Sequence, residues 1–246
     1  MKSLDPDWII PDWPAPANVR AFITTRAGGV SQGPYSSLNL GLRSGDDANA
    51  VAANRDRLRA IVPQEPKWLR QVHGNIVVEA DPLADSPEAD AAVARRPGTV
   101  CAVLVADCVP VLLADCAGTT VAIAHAGWRG LASGVIEKTI ERMALSPGAL
   151  LAYLGPGIGP RAFEVGADVR DAFLARDPRS EPAFTPRAPG KWLADLFSLA
   201  RQRLGGIGIT NIYGGGQCTY SDPQRFFSYR RERTTGRMAA VIWRDA

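Results

Sequence analysis

The chain has 246 residues, of which 46% are hydrophobic and 22% are charged, and its formal net charge is +3. These values are typical of a globular protein with a sizeable core and exclude a disordered chain, while arginines scattered along the whole sequence do not favour a nucleic-acid-binding surface. The first residues lack the apolar segment of a secretory signal, and no apolar run is long enough to cross a bilayer. We therefore expect a cytoplasmic protein that binds neither membrane nor nucleic acid.

The first part of the chain predicts an irregular N-terminal arm rich in Pro, Asp and Trp, then a strand, a helix capped by an aspartate, and two short strands. The arm covers residues 1–18, the strand 19–25, the helix 48–61 with Asp46 or Asp47 as its cap, and the two short strands 68–72 and 75–79. The two short strands are expected on either side of a turn at His73 and Gly74.

Three apolar, β-branched runs at the centre show little alternation, which is typical of strands that are covered on both faces. A helix with apolar residues at helical spacing follows them. These runs and the helix lie at 99–106, 109–115, 120–124 and 129–143. Beyond them we predict strands at 150–154, 209–213, 225–230 and 237–244 and helices at 167–175 and 193–204. Strands and helices do not alternate strictly, so we predict a single α+β domain over residues 1–246 rather than a doubly wound sheet.

The sequence contains two histidines and four cysteines. His73 lies in the segment QVHG, His125 lies in the segment AHAGWRG, and Cys108 lies between them in the segment ADCVP. No Cys-x-x-Cys pair is present, so neither a zinc ribbon nor a thioredoxin-type site is predicted. Histidine and cysteine ligate zinc or act as base and nucleophile near neutral pH, and we interpret these three residues as one site.

Two chemistries fit His73, Cys108 and His125. Zinc held by two imidazoles and one thiolate keeps a fourth position open for water or substrate, as in a catalytic site. Alternatively, Cys108 is a nucleophile and His125 its base, as in a cysteine-dependent amidase or hydrolase. A metal-binding protein without catalytic activity also stays open. The spacings match no local zinc motif, so the fold would have to bring the three residues together.

The segment after His125 predicts a site for an anion. A helix is expected to begin there, and its first N–H groups are free to bind a phosphate. Arg129 in this segment is expected to add a bidentate contact to the same phosphate.

Seven motifs in a fixed order resemble one known family over about residues 22–243. They are TTRAGGVS at 24–31, SLNLG at 37–41, QVHG at 71–74, ADCVP at 106–110, HAGWRG at 125–130, GPGIG at 155–159 and FFSYRR at 226–231. Together they resemble the laccase-domain or multicopper polyphenol oxidase-like family, whose members are now described as purine nucleoside phosphorylases and which includes the peptidoglycan editing factor.

The resemblance implies a four-layer α/β/β/α fold with mixed β-sheets, related to the catalytic domain of the cytotoxic necrotizing factors. It implies a zinc site at His73, Cys108 and His125. The implied activity is phosphorolysis of adenosine, inosine and methylthioadenosine, with some adenosine deamination, so the implied partners are purine nucleosides and phosphate. The peptidoglycan editing member is instead described as an amidase that acts on a cell-wall precursor.

Copper also suits two imidazoles and a thiolate. The oxygen-reducing cluster of a multicopper oxidase needs many more imidazoles, however, and two histidines do not supply them. We therefore predict zinc as the cofactor and no multicopper cluster.

Within the implied reaction, four further residues receive predicted roles. Arg129 and Arg26 are expected to position phosphate. Asp107, beside Cys108, is expected to protonate the leaving purine or to orient an imidazole ligand, although a turn-capping role fits it equally well. Asn39 is expected to contact the ribose, with turn capping as the structural alternative.

Overall fold

The computed structural model describes residues 5–246, so the first four residues of the predicted N-terminal arm lie outside the described residues. The strands are β1 (Val19–Ile23), β2 (Val77–Glu79), β3 (Ala91–Ala94), β4 (Cys101–Val105), β5 (Val109–Asp115), β6 (Val121–Ala126), β7 (Leu150–Leu154), β8 (Glu164–Gly166), β9 (Phe184–Ala188), β10 (Lys191–Ala194), β11 (Ile212–Gly214) and β12 (Met238–Arg244). The α-helices are α1 (Ala48–Arg59), α2 (Trp128–Ser133), α3 (Val135–Met143), α4 (Ala167–Leu174), α5 (Leu196–Gly206) and α6 (Tyr229–Glu232).

Two sheets stack at the centre of the molecule. The larger is a mixed six-stranded sheet in the order β11-β7-β5-β6-β3-β2, in which β7 with β11 and β2 with β3 are parallel. The smaller is an antiparallel three-stranded sheet in the order β1-β12-β4. A separate antiparallel sheet, β8-β10-β9, lies outside this pair.

Side-chain alternation along the strands divides the core into three apolar layers. One layer lies between the two sheets and contains Val103, Leu112 and Ile242. A second packs the outer face of the larger sheet against helices α2 to α5, and the third packs the outer face of the smaller sheet against helix α1. The order is therefore helix, sheet, sheet, helix, and the predicted four-layer arrangement is confirmed, with one mixed and one antiparallel sheet.

Local chemistry explains where the helices begin and end. Of the two candidate caps, Asp47 caps helix α1, since its side chain accepts a hydrogen bond from the N–H of Ala50. The helix predicted at 129–143 is divided into α2 and α3, because Gly134 adopts a left-handed conformation with φ of 92°.

Two predicted strands are wrong. Residues 68–72 make one isolated bridge, at Arg70, and no strand. Of residues 225–230, the first four form a loop and the last two begin helix α6. The strands β3, β8, β9 and β10 were not predicted, and β10 occupies the first residues of the helix predicted at 193–204. No helix in the described part of the chain has both the length and the apolar character needed to cross a membrane.

Candidate metal centre and active-site cavity

The fold brings His73, Cys108 and His125 together from three separate segments. His73 lies in the loop before β2, Cys108 immediately precedes β5, and His125 lies near the end of β6. Strands β5 and β6 pair so that Val109 is opposite Ala126, which places Cys108 beside the end of β6. One potential ligand atom from each of the three residues lies within 4.8 Å of the others.

A buried carboxylate orients His125. Nδ1 of His125 lies 2.9 Å from Oδ1 of Asp90, and the N–H of His125 donates to the backbone carbonyl of Asp90 at 2.7 Å. Asp90 is completely buried immediately before β3, which pairs with β6. With Nδ1 engaged by the carboxylate, Nε2 is the imidazole nitrogen left to face Cys108.

The same carboxylate also holds the loop that carries His73. Asp90 accepts the N–H groups of Val72, His73 and Gly74 at 3.2, 2.9 and 2.7 Å. His73 itself adopts a positive φ of 61°, which non-glycine residues adopt rarely and which often marks a functional site. One carboxylate therefore fixes two of the three predicted ligands relative to each other.

Gly127 allows Cys108 to approach the end of β6. A Cβ on Gly127 would lie 2.7 Å from Sγ of Cys108, which is closer than a side chain tolerates, and 3.4 Å from the His73 ring. The absence of a side chain at this position is therefore a condition for the cluster, and the glycine in the segment AHAGWRG has a packing role as well as a turn role.

Burial and mutual hydrogen bonds determine the charges of the cluster in the protein without metal. Burial alone would raise the pKa of Cys108, but the charge of His125 and hydrogen bonds from both imidazoles lower it below its usual range. Burial alone would lower the pKa of His125, but Cys108 and Asp90 raise it. Hydrogen bonds from His125 and from backbone N–H groups outweigh burial and keep the pKa of Asp90 below its ordinary value.

The donor set fits a metal ion of the zinc type. Two imidazoles and a thiolate are typical zinc ligands, the thiol is poised to deprotonate, and the second nitrogen of one imidazole is engaged by a carboxylate. The cluster lines an open cavity, which leaves room for a further ligand.

The cavity has a volume of about 670 Å³ and a cationic, aromatic lining. Trp68, Trp128, Phe163 and Tyr229 contribute aromatic rings. Seven arginines line the cavity: Arg43, Arg55, Arg70, Arg129, Arg230, Arg233 and Arg237. Among the described residues, Asp107 is the single carboxylate in this lining. A pocket of this size and charge suits an aromatic ligand together with an anion.

The structure places Arg129 and Asp107 in this cavity. Arg129 is exposed and stacks on Trp128, with the guanidinium carbon 4.4 Å from the ring centroid. Both carboxylate oxygens of Asp107 are occupied, by the hydroxyl of Thr219 at 2.6 Å and by the N–H of Arg230 at 2.7 Å. The carboxylate beside His125 is Asp90 and not Asp107, so the structure does not support Asp107 as the residue that orients an imidazole.

Arg26 and Asn39 do not line the cavity. The Arg26 side chain donates to the carbonyls of Ser36 and Pro223 and packs on Phe227. Asn39 is completely buried, and its side chain is hydrogen-bonded to Gly41 and Ser44 in its own loop and to the N–H of Arg237. This geometry corresponds to the turn-capping alternative for Asn39, and it removes both residues from direct contact with a ligand in the cavity.

Two functional features were not found from the sequence. Asp90 stands before a short alanine-rich strand, which lacks the β-branched residues that mark a strand, and no motif singled it out. The arginines of the cavity come from four separated regions of the chain, so no cluster is visible along the sequence.

The chain is similar over nearly its whole length to known proteins. A family model described as multi-copper polyphenol oxidoreductase laccase matches residues 20–245. A purine nucleoside phosphorylase of Pseudomonas aeruginosa is 54% identical over 237 residues, which cover 96% of this chain and 98% of that protein. Purine nucleoside phosphorylase YfiH of Escherichia coli is 54% identical over 239 residues, with the same coverage of 96% and 98%.

A solved structure agrees with this relationship. The crystal structure of the Neisseria meningitidis protein NMB0706 superimposes with a TM-score of 0.94 at 50% sequence identity and covers 98% of this chain and 100% of that one. The matched region contains every residue of the cluster and of the cavity described above. The chain therefore belongs to the multicopper polyphenol oxidoreductase laccase family, which includes proteins named purine nucleoside phosphorylase.

Proposed function

We propose that this protein is a zinc-dependent purine nucleoside phosphorylase that acts on adenosine, inosine and methylthioadenosine, with adenosine deamination as a side activity. The observation that carries the proposal is the position of the His73, Cys108 and His125 cluster in the wall of a cavity with aromatic and cationic lining. The names of the 54%-identical relatives support the same reaction class.

The cavity wall offers complementary surfaces for both substrates. A purine ring is flat and apolar, and the rings of Trp128, Phe163 and Tyr229 provide surfaces on which it can stack. Phosphate is a dianion, and the surplus of arginines favours its entry into a partly enclosed site. Phosphorolysis requires the two to lie side by side, with a phosphate oxygen directed at the C1′ carbon of the ribose.

His73, Cys108 and His125 are the residues that would hold zinc. The chemistry that zinc supplies when bound is Lewis-acid activation and the acidification of water, which deamination of adenosine requires. Asp90 orients His125 and fixes the His73 loop before any ligand arrives. The cluster is thus organised in advance, which reduces the free energy spent on ordering during the reaction.

The surrounding charges suit the transition state of phosphorolysis. Positive charge develops at C1′ as the purine leaves, and a phosphate dianion held beside the ribose stabilises that charge. Arg129, which the sequence predicts as a phosphate contact, lines the same cavity. Proton donation by Asp107 to the leaving purine stays a prediction.

Phosphate-dependent release of the purine base tests the proposal. Purified protein of measured zinc content is incubated with adenosine and phosphate, and adenine, inosine and ribose 1-phosphate are followed by chromatography beside a Cys108→Ala variant. We expect adenine and ribose 1-phosphate to appear with phosphate and wild-type protein but not with the Cys108→Ala variant. Chelation should abolish these products and inosine as well. Absence of turnover by folded, zinc-loaded protein would reject the phosphorylase assignment.

One observation favours a second candidate, a cysteine-dependent amidase that edits a peptidoglycan precursor. The thiol of Cys108, the imidazole of His125 and the carboxylate of Asp90 lie in a row, as in a catalytic triad. The hydrogen bonds that lower the pKa of Cys108 are those expected of an activated nucleophile. In this reaction Cys108 attacks the amide carbon, and His125 passes the thiol proton to the amine that leaves as the C–N bond breaks. Water then hydrolyses the thioester, which releases the acid and restores the thiol. The two candidates differ in their response to chelation, because the amidase keeps its activity when zinc is removed.

A further inference from the structure

Most of the arginines that line the cavity have no carboxylate partner among the described residues. In the described part of the chain, Arg70 forms an ion pair with Glu88 at 2.8 Å, whereas the other six cavity arginines have no carboxylate within 4.0 Å. An arginine without a carboxylate partner at a partly enclosed wall favours the binding of an anion from solution.

Three of these six arginines lie in or against one loop, residues 40–44. Arg43 belongs to the loop, and Arg55 and Arg237 contact it. Arg55 on helix α1 donates from Nε to the carbonyl of Leu40 at 2.9 Å. Arg237 lies just before β12, and its backbone carbonyl accepts a hydrogen bond from the N–H of Leu40 at 3.1 Å. The Cγ atom of its side chain would lie 2.8 Å from a Cβ on Gly41, so the side chain passes close to the loop.

Asn39 fixes this loop against the segment that precedes β12 and contains Arg237. Its Oδ1 accepts the N–H of Gly41 at 3.0 Å and the N–H of Arg237 at 2.9 Å. Its Nδ2 donates to the hydroxyl of Ser44 at 2.7 Å and to Asp46 at 2.9 Å. Because Asn39 is completely buried, the backbone around Arg237 is held in place before a ligand binds.

The guanidinium groups keep donors available. Arg55 stacks on Trp68 at 4.1 Å, and burial lowers its pKa to about 10, so it stays cationic at neutral pH. Arg237 uses Nη1 for the carbonyls of Thr235 and Gly236 at 2.9 and 2.8 Å, while its Nε and Nη2 make no hydrogen bond to any described residue. That free edge has the two-donor geometry that binds a phosphate or carboxylate.

Arg237 lines the same cavity as the metal-ligand cluster of His73, Cys108 and His125. A phosphate bound at Arg237 would therefore share this cavity with the cluster.

We propose that Arg237 and Arg55, with Arg43 at the rim, form the phosphate subsite, and that Asn39 organises it from behind. This assignment places the dianion on the loop at residues 40–44 and not at the start of helix α2 beside Arg129. The identity of the anion as a co-substrate rests on the proposed phosphorolysis, whereas the subsite itself is testable without turnover.

Calorimetric titration with inorganic phosphate tests the subsite in the full-length protein without nucleoside. We expect Arg237→Gln to raise the Kd for phosphate about ten-fold or more, since a charge-assisted hydrogen-bond pair contributes at least one such factor. Arg237→Lys keeps the positive charge but lacks the paired N–H donors of a guanidinium, so its Kd should lie between those of wild type and Arg237→Gln. Arg70→Gln is the matched control, because it removes a cavity arginine whose charge Glu88 already offsets, and its Kd should stay within about two-fold of wild type.

Titration with ribose 1-phosphate, as a second arm, distinguishes a subsite for free phosphate from one that requires the sugar. Tighter binding of ribose 1-phosphate that depends equally on Arg237 agrees with the proposal. The proposal would be overturned if both folded Arg237 variants kept the wild-type affinity for phosphate while Arg129→Gln lost it. That result would place the phosphate subsite at helix α2. Phosphate binding that depends on Arg237 without any base release would instead leave the subsite intact and reject the phosphorylase assignment.

Discussion

Asp90 is the residue through which the cluster is assembled. Its carboxylate contacts the imidazole of His125 and three consecutive N–H groups around His73, and its backbone carbonyl accepts the N–H of His125. A carboxylate behind an imidazole ligand fixes the ring orientation and makes the opposite nitrogen a better ligand. Asp90 therefore acts on the metal through His125 and His73 and is a positioning residue.

Replacement of Asp90 should weaken zinc binding while the protein stays folded. We expect Asp90→Asn to lower zinc affinity by about 10- to 100-fold, because the amide no longer supplies an acceptor to both the imidazole and the loop. Competition with a chromophoric chelator measures the affinity. Asp115→Asn is the control, since Asp115 is a buried carboxylate that accepts the N–H groups of Thr119 and Thr120 outside the cluster. Equal zinc affinities in the two variants would contradict the role of Asp90.

The charge of Cys108 gives a second prediction at the residue scale. Its pKa is lowered in the protein without metal, so the thiolate is present at lower pH than in an ordinary cysteine of pKa about 8.5. After chelation, the rate of alkylation of Cys108 by iodoacetamide should approach its plateau near neutral pH and fall only on acidification. Peptide mass spectrometry follows Cys108 alone, and zinc should protect it. A rate that still rises steeply above pH 9 would be incompatible with this environment.

At the scale of elements, the end of β6 and the start of α2 form the framework of the cluster. The central strands were predicted closely because long apolar, β-branched runs specify buried strands, and β5 and β7 have the predicted bounds. Strand β3 was missed because a run of alanines carries little β-propensity and forms a strand only through pairing with β2 and β6. The break at Gly134 was missed because the apolar spacing continues across it.

Gly127 provides the test at this scale. Gly127→Ala places a Cβ where it would lie 2.7 Å from Sγ of Cys108, so the thiolate must move away from the imidazoles. We expect purine release and zinc affinity to fall at least about ten-fold, since small displacements of reacting groups have effects of this size.

Gly148→Ala is the matched control, because a Cβ there meets nothing within 4 Å. Thermal unfolding separates local displacement from loss of the fold. Unchanged activity in a folded Gly127→Ala protein would mean that Cys108 does not need its position beside the end of β6.

At the scale of the molecule, the three cluster residues were predicted and their partners were not. Rare residue types in glycine-flanked motifs identified His73, Cys108 and His125, because such types are seldom placed without a chemical reason. The cavity arginines and Asp90 are ordinary residue types, and only the packing of distant segments shows which of them share a wall. Asn39 illustrates the same limit, since its motif is visible in the sequence while its contact with Arg237, 198 positions away, depends on the tertiary fold.

Because the cluster joins three distant segments, zinc should stabilise the whole molecule. A ligand at 100 times its Kd adds about 2.7 kcal/mol to the free energy of unfolding, which for a chain of this size corresponds to a rise in Tm of roughly 5–10 °C. Chelated protein should therefore melt earlier and recover on addition of zinc. His73→Ala should abolish the zinc-dependent rise without lowering the melting temperature of the metal-free protein, because the His73 side chain is exposed. Scanning calorimetry with and without zinc measures the melting temperature of the metal-free protein and its rise when zinc binds. An equal rise in wild type and in His73→Ala would place zinc elsewhere on the protein, and the metal centre described here would then have no part in its stability.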